Sequence, residues 1–430
     1  MPLAKFLQPA RLYQIRRARD HPSEVSLSPF RPPSIPSAHA LLLFSSPFKP
    51  HFESPQTFID GIVVTFLSAS RTKDTPLHLR TPQKENATMS PSADLPETRE
   101  TLEAIAAADQ SQTIAELRKT LTSETTPLPI RFRALFSLKH VACNSKGADS
   151  EAAIEAIAAG FASPSALLKH ELAYCLGQTA NLVAVPYLRN VLTDLQEDPM
   201  CRHEAAEALG ALGDASQLDI LREYRDRKGE DICIVETCEI AIDRLEWENS
   251  EQRKLEKLRK SDFTSVDPAP PMEESQRTVP ELEKTLMDSN LPLFLRYRAM
   301  FALRDLASPP DLPTAVPAVL ALAKGLADSS ALFRHEIAFV FGQLSHPASI
   351  PALTEALSNT EEASMVRHEA AEALGSLGDE EGVEATLLKF LHDKEKVVRE
   401  SVIVALDMAE FESSGQTEYA LIPEAAKAAA

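Results

Sequence analysis

Cysteine is scarce in this 430-residue chain, and its five copies (Cys143, Cys175, Cys201, Cys233 and Cys238) are odd in number and show no CxxC spacing. That excludes a disulfide framework and a thiolate zinc site, and it fits a reducing compartment. Glycine is also sparse, at 13 residues, and aromatics make up only 6%. A turn-rich sandwich or barrel is disfavoured by that balance, and the Ala and Leu runs of the second half suit helices. No apolar run reaches the roughly 18 residues that a membrane span needs. Basic residues are outnumbered, 44 Lys and Arg against 63 Asp and Glu, for a formal net charge of -19. Such a surface repels nucleic acid and attracts basic partners. There is no phosphate-binding glycine loop, no nucleophile elbow and no dinucleotide fingerprint.

The charge is unevenly spread. Residues 1–88 carry 11 basic and 6 acidic side chains, a local excess of +5, whereas residues 89–430 carry a net of -24. The first segment is rich in Pro and Ser (Pro22, Pro29, Pro32, Pro33, Pro36) and has no sustained periodicity. Residues 1–95 therefore read as a disordered extension, or as sequence upstream of a true start at Met89. Arg11, Arg16, Arg17 and Arg19 add a third reading, a mitochondrial presequence.

What fills the remainder is internal repetition. CRHEAAEALGALGD (Cys201–Asp214) returns as VRHEAAEALGSLGD (Val366–Asp379), 165 residues on. At the same offset LLKHELAYCLGQ (Leu167–Gln178) matches LFRHEIAFVFGQ, and IRFRALFSL (Ile130–Leu138) matches LRYRAMFAL. One offset for three segments implies a tandem duplication. Within each half a shorter period of 33 residues separates His170 from His203 and His335 from His368. Units of that length, each a pair of helices, stack into α-solenoids. Ala205, Ala208, Leu209 and Leu212 fall on one helical face; Gly210 and Gly213 close that helix and Asp214 caps the next. The expected fold is all-α: HEAT-like helical hairpins, four in each of two duplicated halves with pseudo-two-fold symmetry. The expected boundaries are a half over 96–247, an exposed flexible linker over 248–279 marked by EQRKLEKLRK and VDPAPPMEES, a half over 280–412 and a tail over 413–430. Gly177-Gln178 and Gly342-Gln343 read as helix ends.

Four of the 11 histidines are followed directly by glutamate: His170-Glu171, His203-Glu204, His335-Glu336 and His368-Glu369. The pairs occupy one position of the repeat and are confined to the two central repeats of each half. The flanking repeats carry Phe132-Arg133, Tyr297-Arg298 and Glu400-Ser401 instead. Neighbouring residues on a helix point about 100° apart, so one pair does not chelate an ion alone. Equivalent side chains on adjacent hairpins, with axes about 8–10 Å apart, can share one. Imidazole with carboxylate and no thiolate suits Fe, Mn or Zn, and two His with one carboxylate per ion is the non-haem iron pattern. Against this stands the bland reading that duplication copied one accident of packing. His140, His346 and His392 are isolated and read as surface or packed histidines; Trp247 reads as packing at a helix end.

At the four His-Glu pairs the sequence resembles the deoxyhypusine hydroxylases, over about Thr101 to Ala409. The resemblance implies an enzyme, a HEAT-repeat monooxygenase holding two Fe(II) ions, with O2 as co-substrate. It implies hydroxylation of the deoxyhypusine side chain on translation initiation factor 5A, a basic protein partner, in the cytoplasm, with no direct nucleic acid and no membrane. Carried over, the metal ligands are His170, Glu171, His203, Glu204, His335, Glu336, His368 and Glu369. Each iron is then expected to take two His from one half and a Glu (Glu171 or Glu336) from the other, with Glu204 and Glu369 nearer the substrate amine. The alternatives are a metal-free HEAT-repeat scaffold or lyase-like binding protein, and a two-metal hydrolase.

Overall fold

The computed structural model describes residues 97–258, 261–272 and 278–414, with side chains from 110 onward except that of Glu412. Residues 1–95 and nearly all of the 413–430 tail, on which the sequence reading placed an extension and a tail, lie outside the described residues. Among the described residues there are 17 α-helices and no strand.

The helices pair as the repeats anticipate. The first half contains α1 (Glu97–Thr122) with α2 (Leu128–Asn144), α3 (Ala148–Ala158) with α4 (Ala166–Gly177), α5 (Val185–Thr193) with α6 (Pro199–Ala211), and α7 (Leu218–Arg225) with α8 (Ile232–Glu248). After the short α9 (Glu251–Leu255), the second half contains α10 (Val279–Met287) with α11 (Leu293–Leu306), α12 (Ala315–Lys324) with α13 (Ala331–Leu344), α14 (Ile350–Ser358) with α15 (Ser364–Gly375), and α16 (Val383–Leu387) with α17 (Lys396–Ser414). The second helix of each hairpin packs on the second helix of the next. The series α2, α4, α6, α8, α11, α13, α15, α17 returns from α17 to α2, so the eight form a closed inner ring. None of the eight presents a purely polar face: α4 buries ten of its residues between Leu167 and Gly177, as befits a helix enclosed on all sides.

Small residues bring the inner helices close. A Cβ on Gly177 would lie 2.8 Å from the Cβ of Ala208, and one on Gly375 would lie 2.8 Å from the Cα of Ala405. Gly210, expected to close α6, instead sits inside that helix's last turn, where a Cβ would meet Ala241 at 2.9 Å. The terminator is Gly213, at φ +72°, followed by Asp214, whose side chain accepts from the Ser216 amide. Likewise α4 ends at Gly177, but α13 runs past Gly342-Gln343 to Leu344 and is stopped by Ser345 at φ 41°.

The arginine before two of the His-Glu pairs is a structural bolt. Arg202 Nε donates to Leu192 O at 3.0 Å and its Nη atoms grip Glu230; Arg367 Nε donates to Leu357 O at 3.0 Å and pairs with Asp393. Arg131 and Arg296 repeat the same reach, to Leu121 O and Leu286 O. Each ties an inner helix to the carbonyls at the end of its own outer helix, which otherwise have no partner.

The two halves meet at both ring junctions. Arg133 holds Asp407 at 2.8 Å, Ser165 at the start of α4 donates to Glu400 at 2.8 Å, and Ser330 at the start of α13 donates to Glu236 at 2.7 Å. The connecting segment departs from an exposed linker over 261–272. Ala269 is fully buried, Met272 N donates to Arg298 O at 3.1 Å, and Arg298 Nε donates to Pro270 O at 3.2 Å. Proline-rich backbone leaves its carbonyls unpaired, and here Arg298 of α11 captures those of Pro270 and Pro271.

Candidate metal centre

Helices α4, α6, α13 and α15 carry the four His-Glu pairs at mid-length and aim all four imidazoles at one place. His170 lies 5.3 Å from His203, 5.7 Å from His335 and 5.2 Å from His368, ring centre to ring centre. His335 lies 5.5 Å from His203 and 5.3 Å from His368. The rings come from both halves, and none is more than 4% exposed.

The carboxylates surround this cluster. Glu204 Oε2 is 3.2 Å from His170 Nε2, and Glu369 Oε2 is 3.5 Å from His335 Nε2 and 4.0 Å from His368 Nδ1. These two residues, which the sequence reading assigned to the substrate amine, therefore lie against the imidazoles. Glu171, assigned as a ligand from across the halves, has Glu372, Lys139 and Glu369 among its charged neighbours, and Glu336 has Glu207, Glu204 and Asp267. Three sets each offer atoms within 4.8 Å of one another: His170, His203 and His335; His335, His368 and Glu369; His203, Glu204 and Glu207.

Polar atoms this deep normally have partners. Here both ring nitrogens of all four histidines, Glu171 Oε2, Glu336 Oε1, both oxygens of Glu369 and Glu372 Oε2 have no hydrogen bond. Burial pushes Glu204 up to about 8 and Glu369 up to about 7, and raises Glu171 and Glu336 well above the ordinary carboxylate range. It holds His170, His203 and His335 well below theirs, with neighbouring imidazoles adding to the effect. Neutral imidazoles facing carboxylates are the state that accepts a dication, whose charge restores the carboxylates to their ionised form. The donor set of nitrogen and oxygen fits iron, manganese or zinc. Among the described residues this cluster satisfies the chemistry of a metal centre, and the bland packing reading does not account for its orphaned atoms.

Sequence reasoning missed several members. Glu207 and Glu372 follow His203 and His368 by one turn, with Glu372 Oε1 3.7 Å from His368 Nδ1. The signal was legible in HEAAE, where His and the second Glu share a helix face. Tyr174 and Cys175 also line the site, the Cys175 thiol 3.8 Å from Glu171 Oε1. Burial and then Glu171 raise that thiol well above its usual range, so it is protonated and not a thiolate ligand. His346 caps a turn through Nδ1, 3.1 Å from the Ala348 amide, and His140 is exposed beside Asn144. Trp247 packs near the end of α8 under Arg253 and Arg298, each 5.2 Å from its ring.

The comparisons with known proteins agree on one kinship. HEAT repeats are recognised over residues 154–234 and 317–407. A Neurospora crassa protein named deoxyhypusine hydroxylase is 79% identical over 322 residues, 74% of this chain and 99% of its own. Its namesake from Gibberella zeae is 74% identical over 345 residues, 80% of this chain and 100% of its own. The solved structure of human deoxyhypusine hydroxylase in complex with glycerol superposes with a TM-score of 0.64 at 44% identity, covering 72% of this chain and 99% of that one.

Proposed function

The chain belongs to the deoxyhypusine hydroxylase family of monooxygenases, and from that premise we propose that it binds two Fe(II) ions at the four His-Glu pairs and uses O2 to hydroxylate the deoxyhypusine side chain of translation initiation factor 5A. The observation that carries the metal reading is the meeting of four buried imidazoles from four helices, none with a hydrogen-bond partner. A scaffold has no use for such a cluster, since buried unpaired polar groups cost stability.

In this proposal His170, His203, His335 and His368 are metal ligands, and Glu204 and Glu369 complete the set. Support for the last two is their approach to His170 and His335, at 3.2 Å and 3.5 Å. This exchanges the carboxylate roles that the sequence suggested. Glu171 and Glu336, one on each side of the cluster, are then free to receive the cationic amines of the substrate. Glu207 and Glu372 hold ligands in orientation, as outer partners do at metal centres. Bound iron would supply the activation of O2. The protein's own part is to keep the site dry, to hold the substrate chain by carboxylates and to present one carbon of it. The acidic net charge of -19 favours association with a basic partner. Among the described residues no helix is long and apolar enough to cross a membrane; the cytoplasm is the proposed location.

The test is His170→Ala and Glu204→Ala in the full chain, with bound iron and hydroxylation of deoxyhypusine-bearing substrate both measured. Both variants are expected to lose activity together with iron. An iron-free variant with full activity overturns the proposal.

A further inference from the structure

The 165-residue correspondence is kept at every His-Glu pair and at Glu207 and Glu372, but beside them it breaks at Cys175, whose counterpart is Val340, and at Tyr174. Tyr174 has Phe339 as its counterpart. The two rings touch across the halves, edge to face, with centres 6.0 Å apart. Tyr174 is only 5% exposed, and its hydroxyl oxygen has no hydrogen-bond partner. Lys139 stands over the ring face, 5.0 Å from its centre, and so does not engage the hydroxyl plane.

The order of side chains along α4 and α13 tells which end of the chamber this is. His170 is followed one turn later by Tyr174 and another turn later by Gln178; His335, Phe339 and Gln343 repeat the series. Gln178 Oε1 accepts from Val266 N at 2.7 Å and its Nε2 donates to Val266 O at 3.0 Å. Gln343 Nε2 donates to Ser265 Oγ at 2.9 Å. Two consecutive residues of the connecting segment are therefore gripped by equivalent glutamines of the two halves. Arg304, fully buried, fixes Asp267 beside them at 2.8 Å. The ends of α4 and α13 converge under this strap, so that side is the closed floor of the chamber. A long substrate chain must come from the opposite side, where α4 and α13 begin at Ser165 and Ser330.

A buried hydroxyl one turn along α4 from His170, without a hydrogen-bond partner of its own, suits a small acceptor. We propose that Tyr174 is the hydrogen-bond donor to the small exogenous ligand of the centre, dioxygen in the reaction. Phe339 cannot make that bond, so the ligand is held from one half only. This inference rests on the iron reading above.

The test uses full-length protein loaded with Fe(II) and nitric oxide as the probe. Iron content, the nitric oxide dissociation constant and the N–O stretching frequency are compared in the parent protein and Tyr174→Phe, which removes one oxygen atom. Expected are unchanged iron content, about five- to tenfold weaker nitric oxide binding, as for one lost hydrogen bond, and a shifted N–O stretch. Unchanged affinity and an unchanged stretch in an iron-loaded variant overturn the inference alone. Loss of iron in the variant also overturns it, because Tyr174 would then act on the ligands. A parent protein that binds no iron overturns the iron reading instead.

Discussion

Replacing Arg202 by Leu is expected to weaken the fold far more than the loss of an ordinary surface charge. Arg202 donates to Leu192 O at 3.0 Å and to both oxygens of Glu230 at 2.7 and 2.9 Å. Both side chains of the pair are only 5% exposed. Removing one partner of such a pair leaves the other charge buried, at a cost of about 3–5 kcal/mol. With an unfolding entropy of about 2 cal/mol/K per residue over roughly 300 folded residues, each degree corresponds to about 0.6 kcal/mol. The expected fall in Tm is therefore about 5–8 °C, read by calorimetry on metal-free protein. The exposed pair Lys254–Glu251, with side chains 67% and 83% exposed, is the contrast; Lys254→Met is expected to move Tm by less than a degree. Combining Arg202→Met with Glu230→Leu should recover most of the loss, since no charge is then stranded. A shift of under 1 °C for Arg202→Leu would refute the bolt, as would a double variant as unstable as the single.

Other expectations follow from the site. Glu207→Gln and Glu372→Gln are expected to lower iron affinity about 10- to 100-fold, measured by competition with a chelator, because they remove carboxylates that orient His203 and His368. Metal-free protein is expected to lose stability from pH 6.5 to 8 in denaturant titrations. The carboxylates' loss begins above about pH 4.5 and is opposed, up to about pH 6.5, by histidines held neutral in the fold that take up protons on unfolding. Above it, Glu204 and Glu369, raised to about 8 and about 7, stay protonated in the fold while their unfolded forms ionise, so stability falls as pH rises toward 8. Iron loading should abolish the alkaline fall; a metal-free protein steadily more stable from pH 6.5 to 8 contradicts the orphaned-carboxylate reading. Gly177→Val places a Cβ 2.8 Å from that of Ala208 and should push α4 from α6. Its expected cost is about 1–3 kcal/mol of stability, with weaker iron binding because His170 and His203 separate.

The sequence exposed what repetition repeats. The common offset of His170 with His335 and of His203 with His368 located the helices and the cluster, because equivalent positions of a solenoid face one way. It said less where function rests on one copy. Nothing in the repeat pattern singles out Tyr174, whose place in the chamber depends on Phe339 lying across from it. The strap read as a linker because proline and charge dominate it, while the groups that hold it, Gln178, Arg298, Arg304 and Gln343, lie far away in sequence. Gly210 read as a helix end because closeness to Ala241 is a fact of packing between repeats. The carboxylate roles were undetermined for the same reason: adjacency in His-Glu does not say which glutamate reaches which imidazole.

The four His-Glu pairs are expected to hold two iron ions. Elemental analysis of the full chain, purified without chelator and shown by circular dichroism to be helical, tests it most directly. Two irons per chain, lost together in a His170→Ala, His335→Ala double variant, is the expected result. Folded protein that carries no iron and takes up none from ferrous solution would contradict it.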